Sequence, residues 1–89
     1  MYTSVSFHRI LPQHIDDYIT NMRVCAEATN KEPGCIRYEL TEASEDKLVL
    51  TERWASQADL DKHSKGTAVQ DLNESLSALL AEPVKLERL

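Results

Sequence analysis

The sequence predicts an α+β chain of order β-α-β-β-α-α-β. Its four strands would form one antiparallel sheet with the helices on one face, the ferredoxin-like arrangement. Two observations carry this. Stretches of period-two alternation read as strands, and the apolar stripes at three- and four-residue steps between them read as helices. Both long connections hold a helix, and this places the helices together against one side of the sheet. A chain of 89 residues and 10.1 kDa has room for one domain, spanning 1–89.

The first strand is read over Thr3 to Ile10, with Val5 and Phe7 on one side and Ser4, Ser6 and His8 on the other. Pro12 stops it and suits the first turn of a helix. The helix stripe is Ile15, Tyr18, Ile19, Met22, Cys25 and Ala26. Asp16 and Asp17 near its start and Lys31 near its end match the macrodipole, and Pro33-Gly34 closes it. Cys35 to Thr41 reads as the second strand, with Ile36, Tyr38 and Leu40 on one face. After the polar turn Ser44-Glu45-Asp46, Leu48 to Trp54 reads as the third strand. It carries Leu48, Leu50, Glu52 and Trp54 on one face and Val49, Thr51 and Arg53 on the other. The pair makes a hairpin.

Ser56-Gln57-Ala58-Asp59 resembles a capping box and opens a short helix that stops at Gly66. Thr67 is expected to cap the next helix in the same way. The stripe of that helix is Val69, Leu72, Leu76, Leu79 and Leu80, and Pro83 ends it. Val84 to Leu89 reads as the last strand. Helices cover one sheet face only, yet apolar residues fall on both. Such an open apolar face predicts a homodimer.

Composition narrows the function classes. Fifteen acids against ten bases leave a net charge of −5 without a basic cluster, which argues against nucleic acid or an anionic membrane as partner. No apolar run approaches the roughly 20 residues that span a bilayer. The first residues lack the basic start and apolar middle of a signal peptide, so a cytoplasmic location is the expectation. Cys25 and Cys35 form no C-x-x-C pair and read as free thiols. His8, His14 and His63 are scattered with no ligand spacing, so no metal is expected, and His14 reads as solvated. The two glycines, Gly34 and Gly66, make no phosphate loop, and no cofactor is expected.

Two segments resemble a known family. Glu32-Pro33-Gly34-Cys35-Ile36-Arg37-Tyr38-Glu39-Leu40 is similar to the helix-to-strand junction of the antibiotic biosynthesis monooxygenase (ABM) domain family. Leu50 to His63, in which a strand ends in Glu52-Arg53-Trp54 and the next helix presents His63, is similar to that family's second signature. The resemblance runs over nearly the whole chain. It implies a dimeric α+β barrel with a pocket between each sheet and its helices. It also implies a cofactor-independent monooxygenase that oxidises a small quinol-like or phenolic aromatic with dioxygen. The alternative is a non-catalytic dimer that binds a small metabolite or serves as a stress-linked interaction module, since fold does not settle chemistry.

The candidate catalytic residue is His63, whose imidazole could take a phenolic proton. The bland alternative is a structural or solvent-facing histidine. The candidate substrate-binding residues are Tyr38, Trp54, His8, Asn73 and Glu52. Glu52 stands in an apolar file and needs a partner if buried, with an ion pair to Arg9, Arg37 or Arg88 the simplest expectation. Trp54 and Tyr38 could line an aromatic pocket or fill the core. Haem-degrading relatives carry Asn, Trp and His where this chain has His8, His63 and Asn73, so haem degradation is not expected.

Overall fold

The computed structural model describes residues 1–89, leaving aside the side chain of Ala68. The strands are β1 (Tyr2–Arg9), β2 (Cys35–Ala43), β3 (Lys47–Trp54) and β4 (Lys85–Arg88). The helices are α1 (Ile15–Thr29), α2 (Gln57–Ser64) and α3 (Thr67–Ser77), with a 3-10 turn over Pro12–His14 ahead of α1. The strands form one four-stranded sheet in the order β2-β3-β1-β4, every neighbour antiparallel. This is the predicted α+β, ferredoxin-like arrangement. No helix among the described residues is long and apolar enough to cross a membrane.

Register decides which side chains the helices cover. β1 pairs with β3 so that Ser4 opposes Glu52, Ser6 opposes Leu50 and His8 opposes Leu48. Cross-strand partners share a face, and on this one Tyr18 and Met22 of α1 and Leu76 of α3 pack with Leu48, Leu50, Tyr38 and Ile10 as the core. The polar side of β1 therefore faces the helices: Ser4, Ser6 and His8 are buried, while Phe7 is 41% exposed. Hydrophobic alternation alone suggests the reverse orientation. The inversion is tolerated because buried His8 is fully hydrogen-bonded and the serines border a cavity.

Several local expectations are corrected. Ile36 does not stay with Tyr38 and Leu40, because a register shift between Cys35 and Arg37 leaves it half exposed. Ser56 caps α2 as expected, its Oγ accepting from the Asp59 amide at 3.2 Å. Thr67 caps nothing: Gly66 is the cap residue of α3, without a side-chain cap bond. α3 ends at Ser77, well before Pro83, because Leu80 leaves the helix to bridge Ile10. β4 is shorter than the Val84–Leu89 expectation, and all four of its residues are exposed.

The loop between α1 and β2 is clamped at two points. Asn30 Nδ2 donates to the carbonyls of Ala26 and Tyr38, and its Oδ1 accepts from the Tyr38 amide at 3.0 Å. Gly34 has φ +82, and a Cβ there would collide with the Asp59 carboxylate, so the position needs glycine twice over. The Gly34 carbonyl also accepts from the Ala55 amide at 2.8 Å. These contacts hold the loop carrying Glu32 against the start of α2, the helix that carries His63.

Candidate active site

A cavity of about 450 Å³ lies between the sheet and the helices. Its floor is the helix-facing side of β1 and β3, and its walls come from α1, α2, α3 and the approach to β4. Among its lining residues are His63, Tyr38, His8, Asn73 and Glu52. Trp54 does not line it: the indole is fully buried behind His63, with ring centroids 4.9 Å apart. Tyr38 meets the same imidazole edge-on at 5.9 Å.

His63 is thus neither solvent-facing nor loosely held. It is 6% exposed, and its Nδ1 lies 2.8 Å from Glu32 Oε2. A carboxylate accepts and cannot donate, so Nδ1 carries the hydrogen, and in the neutral ring Nε2 holds the lone pair. Among the described residues Nε2 has no protein partner. No buried side-chain nitrogen or oxygen is left unpaired, so this atom has accessible space beside it. Glu32 orients the ring, which lines the cavity, through Nδ1 and leaves Nε2 without a protein partner. The sequence reading names Glu32 only within a motif. Its partnership with His63, 31 positions away, depends on the turn at Gly34 and has no signal in local spacing.

Glu52 forms no ion pair with Arg9, Arg37 or Arg88. Arg9 pairs with Asp46 and Arg37 with Glu39, and the Arg88 guanidinium lies 4.4 Å over the ring of Tyr2. The only side-chain donor to Glu52 among the described residues is Trp54 Nε1, 3.3 Å from Oε1. Burial pushes the Glu52 carboxyl above the usual range, while the indole hydrogen bond and nearby His63 act to hold it down. Burial, with smaller contributions from Cys25 and Glu52, also pushes the Tyr38 hydroxyl up, so Tyr38 keeps its proton.

A second polar chain lines the cavity from β1 and α1. His8 Nδ1 lies 2.6 Å from the Tyr18 hydroxyl, and His8 Nε2 lies 2.8 Å from Ser6 Oγ. Burial lowers the His8 pKa to about 4 and raises that of Tyr18 to about 12, so at neutral pH neither is charged. Neutral imidazole donates from one nitrogen and accepts at the other, which gives the chain a single direction. Neither Ser6 nor Tyr18 stands out in the sequence, because a serine on the polar side of a strand reads as solvated and a tyrosine in a helix stripe reads as core.

The His8 shift has a stability consequence. The unfolded chain protonates this ring at about 6.5 and the folded chain only at about 4, so between these values the unfolded state binds more protons. Stability should fall as pH is lowered through that window, by on the order of 3 kcal/mol. The raised Glu52 acts with the opposite sign, gaining stability as pH falls. Urea melts at pH 7 and pH 4.5 should show the net loss. His8→Gln should flatten it, and an unchanged pH slope in that variant would remove His8 as its source.

Among the described residues, no group of three or more His, Cys, Asp or Glu is placed to hold a metal. The cavity presents an oriented imidazole, a carboxyl with no ion-pair partner and three tyrosine rings.

The antibiotic biosynthesis monooxygenase family model matches residues 1–75. Similar solved structures include the Rv0793 protein of Mycobacterium tuberculosis, 25% identical with a TM-score of 0.90, the match covering 99% of this chain and 91% of that one. A structure described as an antibiotic biosynthesis monooxygenase is also 25% identical, with a TM-score of 0.90, covering 100% of this chain and 96% of that one. A protein of Nitrosomonas europaea, described as a candidate member of the same class, reaches a TM-score of 0.93 at 19% identity, covering 100% and 96% of the two chains, and supports the fold alone. No curated protein matches the sequence at a significant level.

Proposed function

The chain belongs to the antibiotic biosynthesis monooxygenase family, and from that premise we propose that it is a monooxygenase acting with dioxygen on a small quinol-like or phenolic aromatic. The observation that carries the proposal is the Glu32–His63 pair, which leaves a lone-pair nitrogen beside an aromatic-walled cavity. His63 Nε2 removes a phenolic proton, and the resulting phenolate is electron-rich enough to reduce dioxygen. One oxygen atom enters the ring and the other leaves as water, with both sets of electrons drawn from the quinol, so the reaction as proposed requires no metal or flavin. His8, Tyr38, Asn73 and Glu52 hold the substrate, and Trp54 keeps the imidazole in place from behind. A largely apolar cavity excludes the water that would otherwise solvate the phenolate. The test is oxygen uptake with a reduced naphthoquinone. Protein-dependent formation of hydroxyquinone supports the reading. Tight binding with no uptake above the spontaneous rate overturns it in favour of a non-catalytic metabolite-binding protein.

The same reading includes a homodimer built on the open sheet face. Val5, Phe7 and Val49 lie together there by register, uncovered by any helix. An apolar strip in this position is typical of a contact between copies. Sedimentation at micromolar concentration should give twice the 10.1 kDa chain mass. A species of single-chain mass would sink the dimer.

A further inference from the structure

The cavity has a one-sided charge pattern. Among the described residues no Lys or Arg lines it, and Glu52 is its one carboxylate. The cross-strand neighbours of Glu52 are Ser4 on β1 and Tyr38 on β2, and neither can neutralise it. Trp54 occupies Oε1, while Oε2 has no protein donor and, like His63 Nε2, has accessible space beside it. The cations that could have served are engaged elsewhere: Arg9 on Asp46, Arg37 on Glu39, Arg88 over Tyr2. A half-buried carboxyl beside apolar walls feels an approaching charge more strongly than it would in bulk water.

We propose that Glu52 is the specificity determinant of this cavity, rejecting aromatic ligands that carry a carboxylate, sulfonate or phosphate and accepting neutral or ammonium-bearing ones. With His63 in its neutral form, an anionic group brought into the cavity would meet the ionised Glu52 with no Lys or Arg to offset it, and such juxtapositions are strongly disfavoured. A neutral hydroxyl can donate to Oε2, and an ammonium can pair with it. This rests on the reading of the cavity as an aromatic-binding site but not on any oxidation. Phosphorylated or carboxylated metabolites are thereby excluded as the natural ligand.

The probes are naphthylmethanol, naphthylmethylamine and naphthoate, which share a ring and differ in charge, titrated by calorimetry into the full chain at pH 8. Naphthoate should bind at least about tenfold more weakly than the alcohol, and the amine at least as tightly as the alcohol. Glu52→Gln keeps an acceptor for the Trp54 indole and should bring all three within about twofold of one another. Naphthoate binding as tightly as naphthylmethanol to the wild-type protein overturns the proposal, and this arm needs no variant to fold. An unchanged preference in a folded Glu52→Gln protein overturns it equally, as does failure of all three to bind. A protein that shows the preference yet consumes no oxygen keeps this inference and loses the enzymatic reading.

Discussion

His63→Asn is expected to lower oxygen uptake with a reduced naphthoquinone by about 10²-fold or more, the usual scale for loss of a positioned proton acceptor. Asparagine is the informative replacement because its amide can still donate to Glu32 from near the Nδ1 position, while the basic Nε2 is gone. His63→Ala would confound the result. The ring is 6% exposed and packs on Trp54 and Tyr38, so its removal opens a hole in the core as well as deleting a base. Glu32→Gln should have a much smaller effect, since its side-chain carbonyl still accepts from Nδ1. Wild-type uptake by a folded His63→Asn protein would remove the catalytic role.

Leu48→Ala is expected to cost about 2–5 kcal/mol, the range for emptying a buried leucine site. Leu48 is fully buried, lies on the central strand β3 and does not line the cavity. Activity of the folded fraction should therefore survive. For a domain of this size such a loss lowers Tm by several degrees for each kcal/mol, on the order of 10 °C or more in all. Leu76 contrasts with it. That leucine belongs both to the core cluster and to the cavity wall, so Leu76→Ala should disturb stability and ligand binding together. A Leu48→Ala protein that melts with the wild type would show that the sheet centre can collapse around the gap.

The strands and helices were legible because each carries its own period. The α1 stripe from Ile15 to Ala26 and the β3 file from Leu48 to Trp54 both appear where the spacing puts them. Which side of β1 meets the helices was not legible. Ser4, Ser6 and His8 look like a wet face, and only their partners on α1 and around the cavity make them a buried one. Element ends failed where tertiary contacts overrode local chemistry, as when Leu80 left α3 for Ile10. Of the aromatic and histidine positions picked by residue type, Tyr38, His8 and His63 line the cavity, and Trp54 lies behind His63. Glu32 could not be picked that way, because its role depends on a left-handed glycine two residues away and on a helix far along the chain.

Trp54 gives the molecule an optical reporter. It is the single tryptophan of the chain, with its indole nitrogen hydrogen-bonded to Glu52 and its ring against His63. Its emission therefore comes from one place, directly behind the cavity, with no second indole to dilute the signal. A molecule that draws Glu52 Oε1 away from the indole, or protonates the imidazole, changes the local field on that ring and shifts its colour or yield. Occupancy, proton transfer and unfolding can each be followed by light without attaching a label, and their different signatures would separate them in one cuvette.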